Sequence, residues 1–224
     1  MSAHIDTFVR DNLPPIELWP ELQFMLPELQ FPARYNASSI LEAAVDNGHG
    51  ASNAVLFSSA ALTYDMLLRE ARRIAHVLTH DFGLVPGNRV LIHASNTRSS
   101  IAVWWGVFRA GGVAVGTMPM LRPQELAVIL NKAQVSHAIA DSHRVAALEQ
   151  ARVDAPVLTH IVATDALERR MAAAPTEFPA IATAADDPAL IAFTSGTTGT
   201  PKGCVHFHRD IAAMAETFSR HVLQ

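Results

Sequence analysis

Ten consecutive residues near the carboxyl end of the chain, Thr194-Ser195-Gly196-Thr197-Thr198-Gly199-Thr200-Pro201-Lys202-Gly203, combine three glycines, five hydroxyl side chains, one proline and one lysine. Each type has a use at a polyphosphate. Glycines let the backbone approach an anion closely and adopt positive φ. Successive N–H groups then form a concave nest for oxygens. The hydroxyls of Thr194, Ser195, Thr197, Thr198 and Thr200 donate hydrogen bonds, and Lys202 adds a mobile positive charge. Hydrogen bonds to charged groups contribute about 1.5–3 kcal/mol each, so a handful would hold a phosphate chain. The spacing is not G-x-x-x-x-G-K-[ST], the usual phosphate-binding loop. From composition alone, a flexible Gly/Thr connection that binds nothing stays open as the alternative.

Other residues could carry chemistry, and each has a plainer reading. His76 and His80 are four apart on a predicted helix, within reach of one metal, but they lack the glutamate of HExxH and a third ligand. A solvated helix face is the preferred reading. His206 and His208 alternate like strand residues just after the loop, and His208 either approaches a nucleotide or serves capping and packing. Cys204 reads as a small buried residue rather than a nucleophile, and Trp104 and Trp105 as core before ligand stackers. Asp186-Asp187 reads as a solvated turn rather than a metal site.

These residues need a frame, and the pattern supplies one from Ala54 onward. Strands are expected at Ala54–Phe57, Val90–Ala94, Val113–Thr117, Val135–Ala140, Val157–Ala163 and Ala189–Thr194, the last running directly into the glycine-rich loop. Helices are expected between them. Thr63 caps a stripe of Leu67, Leu68, Ala71, Ile74, Ala75 and Leu78, and Gly83 closes it in the left-handed conformation. Further helices are Ser99–Ala110, 123–132 with Pro123 as its first residue, one capped by Asp141 or Ser142 and running to Arg152, and a short one near 165–173. Residues 174–188 read as a surface connection, and Asp210 caps a final helix. Residues 1–50 are proline-punctuated and read as an arm with a short helix near Ser39–Val45. Strands separated by helices imply an α/β fold, a parallel sheet with helices on both faces. Ligands of such sheets bind beyond the carboxyl ends of the strands, where this loop lies.

Composition narrows the class. Of 224 residues, half are apolar and 17% charged, with a formal net charge of −4, so no basic excess points to nucleic acid or an anionic membrane. The single cysteine forms no internal disulfide and suits a reducing cytoplasm. The first residues lack the apolar core of a secretory signal. Ser99–Met120 is long enough to span a bilayer, but Gly111-Gly112 divides it and Arg109 sits near its middle. A buried helix followed by a buried strand explains it better.

The loop 194–203 resembles, almost residue for residue, the signature loop of the adenylate-forming superfamily, which includes acyl- and aryl-CoA synthetases, luciferases and peptide-synthetase adenylation domains. Leu62-Thr63-Tyr64, the run Gly83 to Val90, and Arg109-Ala110-Gly111-Gly112-Val113 resemble that family's early conserved segments. Asp6-Thr7-Phe8, Asn12-Leu13-Pro14-Pro15, Trp19-Pro20 and Thr117-Met118-Pro119-Met120-Leu121-Arg122 are similar to the benzoate and 2-aminobenzoate CoA ligase branch. The chain departs from that branch at Ser95-Asn96, where a Pro-Asn pair is usual.

The resemblance implies the first portion of the large N-terminal domain of such an enzyme, with residues 1–50 an arm and 51–224 a partial AMP-binding domain. It implies a cytoplasmic, ATP-dependent carboxylate–CoA ligase that adenylates an aromatic carboxylate and passes the acyl group to CoA. Another acyl-CoA synthetase, or a non-catalytic nucleotide-binding or assembly module, stays open as an alternative. The implied nucleotide ligands are Thr194, Ser195, Gly196, Thr197, Thr198, Gly199, Thr200, Lys202 and Gly203, with Lys202 countering charge on the departing pyrophosphate. Mg²⁺ would bridge phosphate oxygens, with no residue of this chain as its direct ligand. Partners are ATP, CoA and the carboxylate, with no nucleic acid and no membrane. The family places a catalytic lysine and other reacting groups later than residue 224, so these residues alone are expected to be inactive.

Overall fold

The computed structural model describes residues 1–58, 60–194 and 201–223. The first fifty residues carry two short α-helices, α1 (Phe8–Asp11) and α2 (Ser39–Ala44). A small antiparallel ribbon follows, β1 (Asn53–Leu56) with β2 (Ala61–Thr63). Helices and strands then alternate: α3 (Tyr64–His80), β3 (Arg89–His93), α4 (Arg98–Arg109), β4 (Val113–Gly116), α5 (Pro123–Ala133) and β5 (His137–Ala140). The series continues with α6 (Val145–Asp154), β6 (His160–Ala163), α7 (Thr164–Ala173), β7 (Pro188–Thr194), β8 (Lys202–Phe207) and α8 (His208–Met214).

The helix boundaries follow local chemistry. Thr63 Oγ1 accepts from Met66 N at 3.3 Å and starts α3, whose expected stripe is buried. Gly83, at φ +64°, turns the chain away beyond that helix, and Leu84 N donates back to Leu78 O at 2.9 Å. Thr97 and Ser100 bond reciprocally at the start of α4, and Pro123 opens α5. Asp210 acts from the third helical position, where its carboxylate accepts from Phe207 N at 2.8 Å. Asp141 does not cap a helix with its side chain; its carboxylate is engaged elsewhere, as described below.

The main sheet has the order β6-β5-β3-β4-β7-β8. All neighbours are parallel except β8, which runs antiparallel to β7. Helices cover both faces, as expected. Val90, Ile92, Ala114 and Ile139 pack with α3, α4 and α7, and Leu91, Val113, Val115 and Ala138 with α5 and α6. One expectation needs correction. The strand at Ala54–Phe57 lies in the separate ribbon, because β2, only three residues long, pairs with it and carries no pattern of its own. The segment after the loop, marked in the sequence only by alternating histidines, is strand β8.

The amino ends of the strands are closed by the first residues of the chain. Ile5 and Asp6 N both donate to Pro86 O at 3.0 Å, and Asp6 pairs with the buried Arg89 at the start of β3. Asp187, just before β7, accepts from Ala3 N at 3.0 Å, Ala184 N at 2.8 Å and Arg10 Nη2 at 2.9 Å. The Asp186-Asp187 expectation is therefore half right: the Asp186 side chain is 51% exposed and that of Asp187 0%. Thr183 and Ala184, read as surface connection, are buried with it, because Tyr35 N donates to Thr183 O at 2.9 Å and draws that segment inward. Arg109 is buried at the end of α4, held by Glu42 Oε1 at 2.8 Å and Phe178 O at 2.6 Å. Among the described residues no helix is long and apolar enough to cross a membrane.

Candidate functional site

The carboxyl ends of the parallel strands form the open end of the sheet. The connection leaving β4 crosses to β5 on one side, while β7 turns to β8 on the other, a switch in direction where ligands of such sheets bind. There β7 and β8 pair residue for residue, with Phe193 opposite Gly203 and Thr194 opposite Lys202. Register partners in an antiparallel pair lie about 4.5–5.5 Å apart at Cα, so the two ends of the glycine-rich segment are clamped side by side. Thr194, Lys202 and Gly203 are all exposed at this edge. The expected ligands Ser195, Gly196, Thr197, Thr198, Gly199 and Thr200 lie outside the described residues. At Gly203 a Cβ would meet Ile191 Cγ2 at 2.9 Å, so a side chain there would push β8 away from the core.

Sequence reasoning missed one residue of this edge. Lys132, in the last turn of α5, donates from Nζ to Pro201 O at 2.7 Å, bridging 69 positions of sequence. Its trace in the sequence is scarcity: of the 17 basic residues, only Lys132 and Lys202 are lysines.

Beside the hairpin lies a cavity of about 520 Å³ lined by Ile92, Ser95, Trp104, Gly116, Met118 and Phe193. It spans the carboxyl ends of β3, β4 and β7. Trp104 and Trp105 pack against the core, as expected, and Trp104 also walls this cavity. Asp141 ties the surrounding loops together. Its Oδ2 accepts from Ser95 N and Ser95 Oγ, both at 2.9 Å, and from Arg144 Nε at 3.2 Å. Arg144 Nη1 in turn donates to Pro119 O. Burial pushes the Asp141 carboxyl up, but the bonds from Ser95 and Arg144 outweigh it and hold the group below the usual carboxylate range. His93 meets Thr117 Oγ1 at 3.1 Å. Burial first, and then the Arg144 charge, lower its pKa and favour the neutral ring.

The remaining candidates fall elsewhere. His208 sits at the opposite end of β8 from Lys202, roughly 17 Å along a six-residue strand. It is fully buried, its Nδ1 accepts from Ala37 N at 3.1 Å, and its ring packs edge-on to Phe108. Of its two expected roles, the structure supports packing. Cys204 is exposed rather than buried, because β8 is the edge of the sheet. His76 and His80 stack at 4.1 Å. Among the described residues no group of three His, Cys, Asp or Glu converges as a metal site.

Residues 41–224 match the family model described as AMP-binding enzyme. The chain is 26% identical over 203 residues to the benzoate–CoA ligase of Thauera aromatica, covering 88% of this chain and 38% of that protein. It is 32% identical over 161 residues to the long-chain-fatty-acid–CoA ligase FadD13 of Mycobacterium tuberculosis (strain CDC 1551 / Oshkosh), covering 70% and 32%. Among solved structures, the anthranilate CoA ligase AuaEII in complex with anthranoyl-AMP superposes with a TM-score of 0.81 at 24% identity, over 88% of this chain and 38% of that one. That likeness is one of fold. The chain spans less than two fifths of the length of each of these proteins.

Proposed function

This chain belongs to the AMP-binding enzyme family, and from that premise we propose that it is the nucleotide-binding part of an ATP-dependent carboxylate–CoA ligase acting on an aromatic acid, benzoate or 2-aminobenzoate. The observation that carries the reading is the clamped hairpin: Thr194 and Lys202 are paired at the open end of the sheet, on either side of a segment whose composition suits a triphosphate. The benzoate–CoA ligase relative supports the aromatic substrate. The fatty-acid ligase relative supports a second reading, in which the same machinery activates an alkyl carboxylate. Residues 1–50 form an arm, and 51–224 belong to the AMP-binding domain. The single cysteine and the use of ATP and CoA suit a cytoplasmic setting.

In this reading the hydroxyls of Thr194, Ser195, Thr197, Thr198 and Thr200, with the backbone at Gly196, Gly199 and Gly203, hold the β- and γ-phosphates. The substrate carboxylate attacks the α-phosphorus, the bond to the bridging oxygen breaks, and pyrophosphate leaves. Lys202 neutralises the charge that grows on that leaving group, the largest task in phosphoryl chemistry of this kind. The thiolate of CoA then attacks the acyl carbon and displaces AMP. Magnesium, bound with ATP, would offset charge on the phosphates.

The test is carboxylate-dependent ATP–pyrophosphate exchange by the intact protein, with benzoate, 2-aminobenzoate and a long-chain fatty acid in parallel. Exchange with an aromatic acid is expected. Exchange with the fatty acid alone moves the assignment to the second reading. ATP binding without exchange on any acid replaces it with a non-catalytic nucleotide-binding module.

A further inference from the structure

The two lysines of the chain meet at one place. Lys202 begins β8 at the open end of the sheet, and the Lys132 ammonium holds the carbonyl of the residue immediately before it. We propose that Lys132 is a positioning residue for Lys202: by gripping Pro201 O it fixes the point from which Lys202 reaches the nucleotide. The inference rests on the nucleotide-binding reading given above.

Four observations carry it. The bond is short, 2.7 Å from Nζ to the carbonyl oxygen, and joins two elements far apart in sequence. Pro201 lies outside the ladder, whose last register pair is Thr194 with Lys202, and it has no N–H of its own to donate. The carbonyl is therefore the backbone hydrogen-bonding group that Pro201 offers. The anchor itself is firm, because α5 is pinned by Leu126, Ile129 and Leu130, all buried in the core. Among the described residues Lys132 makes no ion pair, so its charge is not committed to a carboxylate.

Residue choice points the same way. A cation in the last turn of α5 would serve the helix equally well as arginine, and arginine is what this chain uses at every positive position other than Lys132 and Lys202. A single carbonyl calls for a compact ammonium on a flexible stem, whereas a guanidinium is a planar fork suited to paired oxygens. Lys132 thus departs from the habit of the chain where the geometry asks for it. Without the bond the start of β8 keeps its ladder, but the approach of Lys202 is less fixed. Misplacement of a charge that acts on a phosphate weakens binding without unfolding the domain.

The experiment compares Lys132→Met, Lys132→Arg and Lys202→Ala in the intact protein. The readouts are the affinity for Mg-ATP, KM and kcat for ATP and for the carboxylate in pyrophosphate exchange, and the thermal midpoint. Because the bond is solvent-exposed, the effect is set near the low end for a charged hydrogen bond. Lys132→Met should raise KM and Kd for ATP about tenfold, with carboxylate KM and the midpoint unchanged. Lys132→Arg should recover part of that loss. If Lys132→Met leaves ATP binding unchanged while Lys202→Ala abolishes exchange, the positioning role is overturned and the ligase reading survives. If Lys202→Ala also leaves exchange unchanged, the nucleotide reading itself fails. A lowered midpoint with equal losses for all substrates marks Lys132 as a structural residue only and overturns the inference.

Discussion

The two ends of the central sheet are built from similar residues and do opposite things. At the amino ends, Asp187, Arg89 and Arg109 are buried, each held by several partners, and the first residues of the chain reach Asp187 and Arg89. At the carboxyl ends, Thr194, Lys202 and Gly203 are exposed, a cavity of about 520 Å³ stays open, and the loops are tied by the partly screened Asp141–Arg144 pair. Burial raises the cost of removing a partner, because the remaining charge is left without water. Fold stability is concentrated at one end, and the other presents uncommitted donors. Stability and chemistry should therefore respond separately to substitution.

The sharpest contrast comes from Lys202→Ala in the intact protein. Loss of one positioned charge at a reacting phosphate should lower carboxylate-dependent pyrophosphate exchange by about 10²–10³-fold. The urea midpoint should hardly move, since Lys202 is exposed and removes no buried contact. A large fall in stability with little change in exchange would reverse the roles assigned to the two ends.

The second contrast inverts the first. Asp187→Ala leaves Ala3 N, Ala184 N and Arg10 without their shared acceptor. The folded state should lose about 3 kcal/mol, less than for a fully buried pair because Arg10 is itself partly in water. Urea unfolding measures the loss. Exchange assayed well below the transition should stay near the unsubstituted level. Stability within about 0.5 kcal/mol of the parent, the range of ordinary surface substitutions, would mean that the arm does not lock the amino end.

The sequence made these two ends unequally legible. Periodicity located α3, α4 and α5, and Thr63 and Pro123 marked helix starts, because caps and stripes are local. The carboxyl-end loop was visible because its residue types are unusual together. The amino-end lock was not, because Asp187 acts through Ala3 and Arg10, far away in sequence, and an Asp-Asp pair looks like any solvated turn. β8 was signalled only by the strand-like alternation of its histidines for a related reason: Lys-Gly-Cys-Val-His-Phe has little apolar alternation, and its strand character comes from pairing with β7. Cys204 was read as buried from the general habit of cysteine, and its exposure depends on β8 being an edge. Lys132 lay at the end of an expected helix, and only folding brings it to Pro201.

The smallest expected effect concerns acid, and it tests where proton sensitivity resides. His208, at the amino end, is fully buried, and burial first, then the nearby His4, lower its pKa to about 3. Asp187 opposes that shift but does not cancel it. An unfolded histidine titrates near 6.5. Above that pH both states are neutral and the contribution is complete. As pH falls from about 6.5 toward 3, the unfolded chain takes up a proton that the folded chain refuses, so stability drops by up to about 1.4 kcal/mol per pH unit. The carboxyl of Asp187 is held low, by the bonds from the arm against burial, so its own loss comes below about pH 4. The interval from 6.5 to 4.5 therefore reports on histidines. His208→Asn keeps an acceptor for Ala37 N and removes its own titration, so it should make the urea-derived stability profile shallower across that interval, with His4 and His137, also lowered by burial at the amino end, holding the remaining slope. His93→Asn makes the matching change at the carboxyl end, where burial lowers the ring in the same direction. If His93→Asn flattens the profile and His208→Asn leaves it unchanged, acid sensitivity belongs to the open end, and the division of labour between the two ends of the sheet does not hold for protons.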